Sequence, residues 1–175
     1  MEIKNNYYGI ADKYRWEKEE DVKQKGFAAV GKRIFEAYED NYLPLLPKNK
    51  EAKILDVGCG WGYFLYFLKE NGYKNIEGVE LGVPQVEISK KYGVSNITHI
   101  KDLEGFLKTK EDCYDVITLH QVVEHFPKDK TIDYLQAIRY ALKDNGRLIV
   151  CTPNMCFFSA PVNRYISFTH EIGFT

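Results

Sequence analysis

The strongest constraint on how this chain folds is a glycine-rich segment, Asp56-Val57-Gly58-Cys59-Gly60-Trp61-Gly62. The short run 53–55 before it predicts a buried strand, and the apolar run 63–68 after it predicts a buried helix. Glycines at a strand-to-helix turn let the backbone approach a ligand that a Cβ atom would exclude. The N-terminus of the helix adds unpaired N–H groups and a partial positive charge. The segment therefore predicts a ligand-binding turn with an acid at its edge, and the alternative is a tight turn without a ligand.

Length and composition exclude several other classes of protein. A chain of 175 residues with net charge −1 is expected to form one domain, and its charge gives no electrostatic reason to bind nucleic acid. Its four cysteines lack Cys-x-x-Cys spacing, which is typical of a reducing compartment and argues against a zinc or disulfide framework. No secretory signal and no stretch of membrane-spanning length is recognisable. We therefore expect a cytoplasmic protein with no nucleic-acid or membrane partner.

Strands and helices alternate from residue 52 onward. The predicted strands are 53–57, 75–79, 97–100, 114–119 and 147–151, and the predicted helices are about 61–70, 84–92 and 129–142, with a short segment near 103–107. This order predicts an α/β fold built from right-handed βαβ units around a mostly parallel sheet. Residues 1–46 contain no predicted strand, and apolar residues three and four positions apart predict an amphipathic helix over about 26–42.

Two further acids narrow the chemistry of the ligand. Glu80 ends the second predicted strand, where a carboxylate can accept hydrogen bonds from both hydroxyls of a ribose. Asp102 follows the third strand and can accept from the exocyclic amine of adenine. An ordinary acid at a strand end is the alternative for both. Asp56 would repel a pyrophosphate but suits an ammonium group, which favours a ligand with adenosine at one end and an amino acid at the other.

These motifs, together with the blocks 114–125 and 142–150, resemble the class I S-adenosylmethionine-dependent methyltransferases over roughly residues 50–155. The resemblance implies a Rossmann-like doubly wound sheet with helices on both faces, and S-adenosylmethionine as the cofactor. It places the methionyl end at the glycine turn, the ribose at Glu80, the adenine at Asp102, and the sulfonium beside His120. The candidate cofactor-binding residues are Asp56, Gly58, Cys59, Gly60, Glu80, Leu81, Asp102, Leu103, His120 and Gln121.

One stretch that bears on the acceptor follows the fourth strand. Gln121, Glu124 and His125 would share one face if this stretch were helical. A Glu-x-x-Glu-His version occurs in relatives that methylate quinone precursors and bind a divalent metal. Here Gln121 replaces the first Glu, and hard cations favour carboxylates, so we expect no metal. His125 is a candidate catalytic base, and a structural role is its alternative.

A second stretch, residues 163–175, resembles a segment of methyltransferases found with polysaccharide and sugar biosynthesis. It is expected to cross the mouth of the site, and it carries a second candidate catalytic base, His170, with the donors Arg164 and Tyr165. Ordinary loop roles are the alternatives for all three.

The predicted function is methyl transfer from S-adenosylmethionine to a small-molecule substrate. A hydroxyl of a sugar or related metabolite is favoured over a quinone-like, aromatic or amine acceptor. Residues 1–46 are predicted to form a helical lid over a methyltransferase domain of residues 47–175, with Tyr14, Arg15 and Trp16 as cofactor contacts. Packing within the lid is an equal alternative for this aromatic-rich stretch. The alternatives are a nonenzymatic binding module that acts through a partner, and a nicotinamide-dependent oxidoreductase, against which Asp56 argues.

The chain also departs from the family pattern. The full family fold has two more strands after the fifth, and the sequence given ends at Thr175. We therefore expect the C-terminal strands to be missing and the fifth strand to form an open edge. Such an edge can pair with a strand of a second copy of the chain, so the sequence is compatible with a homodimer.

Overall fold

The computed structural model describes residues 35–91, 93–156 and 169–174. Its strands are β1 (Lys53–Val57), β2 (Asn75–Glu80), β3 (Ile97–His99), β4 (Tyr114–His120) and β5 (Leu142–Cys151). Its helices are α1 (Tyr63–Glu70), α2 (Val83–Lys91), α3 (Leu103–Lys108) and α4 (Thr131–Ala141). Residues 35–41 are also helical, and short 3₁₀ turns occupy Leu43–Leu45 and Val123–His125.

The five strands form one sheet in the order β3-β2-β1-β4-β5, and every neighbouring pair is parallel. The strand order reverses direction between β1 and β4, and ligands bind at such a point outside the carboxyl ends of the strands. The predicted α/β fold with a parallel sheet is confirmed. Within the described residues, β3 and β5 are the outer strands.

Helices cover both faces of the sheet because β1 is apolar on both sides. Ile54 packs in one apolar cluster with α1 and with Val86 of α2. Leu55 packs in a second cluster with residues from α3 and α4, including Leu107 and Ile138. Both faces of β1 are therefore buried, as expected for a strand in the middle of a doubly wound sheet.

The glycine turn has the backbone conformation that its sequence predicts. Gly58, Gly60 and Gly62 have φ angles of 66°, 55° and 82°, in the left-handed region that favours glycine. Gly62 precedes the first residue of α1, and a Cβ atom there would lie 2.9 Å from side-chain atoms of Val94 and Ile97. The turn thus requires glycine at position 62 for both conformation and space.

The junction between α4 and β5 differs from the prediction. The sequence predicts a helix that continues to about residue 142 and stops at residues 144–146, followed by a strand that starts at residue 147. Instead Leu142 is already extended and pairs with Tyr114, and regular pairing resumes at Arg147 opposite Val116. Residues 143–146 interrupt the regular pairing of β4 with β5 but stay within the strand. Their turn-forming residue types predict a loop instead.

The expected helix over 26–42 agrees with the described part, residues 35–41, and its earlier part lies outside the described residues. No helix within the described ranges has the length and apolar character needed to cross a membrane.

The two glycines that flank α1 allow a matched test of the turn. Gly62 and Gly72 both have positive φ, but a Cβ atom at Gly72 would meet nothing within 4 Å. We expect Gly72→Ala to lower the free energy of unfolding by about 1–2 kcal/mol, for the left-handed backbone alone. Gly62→Ala should cost about 1–3 kcal/mol more because of the clash. Urea denaturation measures both, and equal losses would contradict the close packing at Gly62.

Candidate active site

The glycine turn and the end of β2 are joined by one carboxylate. Gly60 donates its backbone N–H to Oε2 of Glu80 at 2.8 Å, and Gly82 donates to Oε1 at 2.9 Å. Val57 and Val79 are register partners, so the residues that follow them leave the sheet side by side. Gly58 and Cys59 both donate to the carbonyl oxygen of Val79. Glu80 therefore holds the loops after β1 and β2 together.

Asp56 is buried at the end of β1, with 2% of its surface exposed. The hydroxyl of Thr118, its register partner on β4, donates to Oδ1 at 2.7 Å. Nδ1 of His120 lies 3.4 Å from the same oxygen, without the alignment of a hydrogen bond. A buried carboxylate needs such partners, and it provides negative charge for a cationic ligand group.

The ring of His120 lies in an aromatic setting at the same edge of the sheet. Its centroid is 4.3 Å from that of Phe64, 4.5 Å from that of Tyr42 and 5.8 Å from that of Tyr38. Both of its ring nitrogens are buried without a hydrogen-bond partner among the described residues. Burial, followed by the charge of Asp56, raises the pKa of the Tyr38 hydroxyl, so this phenol stays neutral. The segment around residues 35–42 therefore covers the carboxyl ends of β1 and β4.

Cys59 contributes its backbone to the turn rather than a reactive thiol. A Cβ atom at Gly78 would lie 2.8 Å from the sulfur of Cys59, so this side chain lies against β2. Burial raises the pKa of the Cys59 thiol, and the charges of Asp56 and Glu80 raise it further. The thiol is consequently protonated and unreactive at neutral pH.

The residues predicted to contact the base and ribose differ in exposure. Asp102 is exposed at the start of α3, and its side chain makes no capping hydrogen bond there. Leu103 is buried in the second apolar cluster, which leaves its side chain little area for a ligand. Leu81 is 57% exposed beside Glu80, although it is a large apolar residue. Leu81 is thus better placed than Leu103 to offer apolar contact to a bound base.

Gln121 and Glu124 do not share a helical face, because the stretch after β4 is not an α-helix. Gln121 has a φ of 56° and is exposed, and its backbone N–H donates to the carbonyl oxygen of Cys151 at 2.8 Å. A short 3₁₀ turn then spans Val123–His125 and carries Glu124 into the interior. The expectation for this stretch was conditional on an α-helix, and the condition fails.

The structure brings Glu124, His125 and His170 together. One nitrogen of each imidazole and one carboxylate oxygen of Glu124 lie within 4.8 Å of one another, and the centroids of the two imidazole rings are 4.9 Å apart. Glu124 is fully buried, and its Oε2 accepts from the Thr152 hydroxyl at 3.1 Å. Nδ1 of His125 lies 3.0 Å from the carbonyl oxygen of Thr169. The two histidines named as candidate bases are thus neighbours, although they are 45 positions apart in sequence.

Three residues of this region were missed by sequence reasoning: Tyr38 and Tyr42 beside His120, and Thr118 beneath Asp56. Thr118 had a usable signal, because parallel pairing of the first and fourth predicted strands places a residue opposite Asp56. Other predicted contacts, namely Tyr14, Arg15, Trp16, Arg164 and Tyr165, lie outside the described residues.

The fold is that of the Rossmann-like methyltransferases. A SAM-dependent methyltransferase from Archaeoglobus fulgidus superposes with a TM-score of 0.71 over 82% of this chain and 62% of its own, at 23% identity. The profile of the methyltransferase domain family matches residues 30–170, so the chain belongs to that family.

Curated relatives are similar over part of their length. A ubiquinone biosynthesis O-methyltransferase from Saccharophagus degradans is 31% identical over 118 residues, which are 65% of this chain and 49% of the relative. A sphingolipid C9-methyltransferase from Candida albicans is 30% identical over 128 residues, which are 66% of this chain and 25% of the relative. The chain therefore spans about half or less of these two proteins. Family and fold together indicate S-adenosylmethionine as the cofactor.

The environment of Cys59 predicts slow alkylation. Because the thiolate is the reactive form, the buried Cys59 should react with iodoacetamide at pH 8 at least about tenfold more slowly than the exposed Cys156. Peptide mass spectrometry over time measures both rates. In urea the two rates should become similar, and equal rates in the folded protein would contradict the buried position of the Cys59 sulfur.

Proposed function

We propose that the chain binds S-adenosylmethionine at the carboxyl ends of β1, β2 and β4 and transfers its methyl group to a small molecule. The main support is the pair of carboxylates at this edge, Asp56 and Glu80, placed on neighbouring strands by the register of β1 and β2. A buried acid suits the ammonium of the methionyl end. An acid that already orders two loops suits the two hydroxyls of the ribose.

The described residues fit such a cofactor. Each oxygen of Glu80 accepts one backbone N–H, and a carboxylate oxygen has a second lone pair that can accept from a hydroxyl. A Cβ atom at Gly60 would meet no described atom within 4 Å, so the turn leaves open space on that side. Asp102 and the exposed Leu81 offer a hydrogen-bond acceptor and an apolar surface for the adenine.

When bound, S-adenosylmethionine supplies a methyl group on a positively charged sulfur, so the protein needs mainly to orient the reactants and exclude water. The turn orients the donor, and alignment of this kind can supply up to about 7–11 kcal/mol. The aromatic side chains around His120 limit water at the methionyl end. At the acceptor, a hydroxyl must lose its proton, and an imidazole is suited to accept it near neutral pH. His125 and His170 are the proposed bases.

We propose a hydroxyl of a sugar or related metabolite as the acceptor. The support for a hydroxyl is the histidine pair, and the support for a sugar is the resemblance of residues 163–175. A quinone-like acceptor is the second candidate, because relatives named as ubiquinone biosynthesis O-methyltransferases match the chain. A panel of sugar nucleotides and catechols, assayed by release of S-adenosylhomocysteine, separates the two. Turnover of catechols alone would rule out the sugar proposal.

The cofactor proposal predicts stabilisation by ligand. S-adenosylhomocysteine at about 100 times its Kd should stabilise the folded chain by about 2.7 kcal/mol and raise the Tm by about 5 °C or more. Asp56→Ala and Glu80→Ala should abolish the rise because they remove the acids for the ammonium and the ribose. Thermal denaturation with and without ligand measures this.

A matched control is available on the same strand. Glu77 of β2 accepts hydrogen bonds from the side chains of Tyr114 and Lys110, away from the turn. Glu77→Gln should keep the ligand-dependent rise even if it lowers the Tm itself. Absence of any rise in the unsubstituted chain, with either S-adenosylmethionine or S-adenosylhomocysteine, would refute the cofactor assignment.

A further inference from the structure

Glu124 is a buried acid to which the proposed chemistry has so far given no role. No part of it is exposed, and its Oε1 has no hydrogen-bond partner among the described residues. Among those residues, no lysine or arginine forms an ion pair with it. Burying an ionised carboxylate with an unpaired oxygen lowers the stability of the fold unless a positive charge lies beside it. The imidazoles of His125 and His170 can acquire such a charge, and one nitrogen of each lies within 4.8 Å of a carboxylate oxygen of Glu124.

The backbone around Glu124 brings the second imidazole to it. The carbonyl oxygen of Glu124 accepts from the N–H groups of Glu171 and Ile172, at 2.8 and 3.2 Å. These two bonds attach segment 169–174 to the 3₁₀ turn and place His170 next to His125. The side chain of Glu124 is separately held by Thr152, which follows β5. Two separate parts of the chain therefore converge on the turn that carries this acid.

The tautomer of His125 follows from its partner. The carbonyl oxygen of Thr169 can only accept a hydrogen bond, so Nδ1 of His125 carries a proton. In the neutral ring, Nε2 then has the lone pair and is the atom that accepts a proton. Protonation makes the ring an imidazolium, and a carboxylate within about 4–6 Å favours that charged form.

We propose that Glu124 is a positioning residue for a histidine base formed by His125 and His170, and that its buried carboxylate stabilises the imidazolium that forms when the pair accepts a proton. Such a role operates within the methyl transfer proposed above and depends on it. The acceptor hydroxyl gives its proton to Nε2 of His125, and its oxygen forms the bond to the methyl carbon. The electron pair of the broken carbon–sulfur bond stays on sulfur.

A further titratable group adjoins this cluster in segment 169–174, where Glu171 follows His170. Glu171 is partly exposed, so water screens its charge more than that of Glu124. Glu171 therefore provides a control that removes the same charge from a residue adjacent to His170.

Histidine-ring NMR tests the role without cofactor or acceptor. The ring signals of His125 and His170, assigned with His125→Gln and His170→Gln, are followed against pH in the presence of EDTA. In Glu124→Gln the titration midpoint of the pair should fall by at least about one pH unit, because the stabilising charge is lost. Glu171→Gln should leave the midpoint close to that of the unsubstituted chain. An unchanged midpoint in Glu124→Gln would overturn the proposal.

Three further measurements keep the outcome interpretable. Glu124→Asp keeps the negative charge, so the titration midpoint of the histidine pair should stay close to that of the unsubstituted chain even if the stability falls. This variant separates the effect of the charge from the effect of packing. Titrations repeated with Zn²⁺ or Mg²⁺ in place of EDTA should not differ, and loss of histidine titration at stoichiometric metal would overturn the proposal in favour of a bound cation. Stabilisation by S-adenosylhomocysteine should persist in Glu124→Gln, so failure of this role and failure of the cofactor assignment give different results.

Discussion

The candidate site depends on the hydrogen bonds of Glu80 to two backbone N–H groups. One comes from the glycine turn after β1 and the other from the loop after β2. Backbone N–H groups near a helix start have no partner within the helix, and an acid from the neighbouring strand satisfies them here. The same acid is half-buried at the carboxyl end of β2, and under the proposed function this one side chain both closes the turn and binds the ribose. Stability of the turn and chemistry of the site are therefore linked.

Features that depend on short stretches of sequence were predictable. The glycine turn, β1 and the positions of Glu80 and Asp102 follow from local patterns, and parallel pairing then brings the strand ends together. The register of β1 with β2 explains why a residue 20 positions after Gly60 reaches its N–H group. A βαβ unit has a narrow range of lengths, which makes this spacing informative.

Features that depend on distant pairing were not predictable. His170 reaches His125 only because backbone hydrogen bonds hold segment 169–174 against Glu124. The conformation of residues 121–125 could not be predicted from local patterns either. Gln121 has a positive φ, which interrupts a residue spacing that is typical of a helix. In each case the deciding contact involves parts of the chain whose relative position is set by the completed sheet.

The attachment of segment 169–174 uses backbone N–H groups, which every residue except proline provides. Its side chains can therefore change without loss of the two bonds that hold it. The glycine turn has less freedom, because Gly58, Gly60 and Gly62 all have the left-handed backbone that favours glycine. Under the proposed function, the acceptor side can therefore change its residues more readily than the turn proposed to hold the donor, so acceptor preference can diverge among descendants of this chain while the donor stays the same.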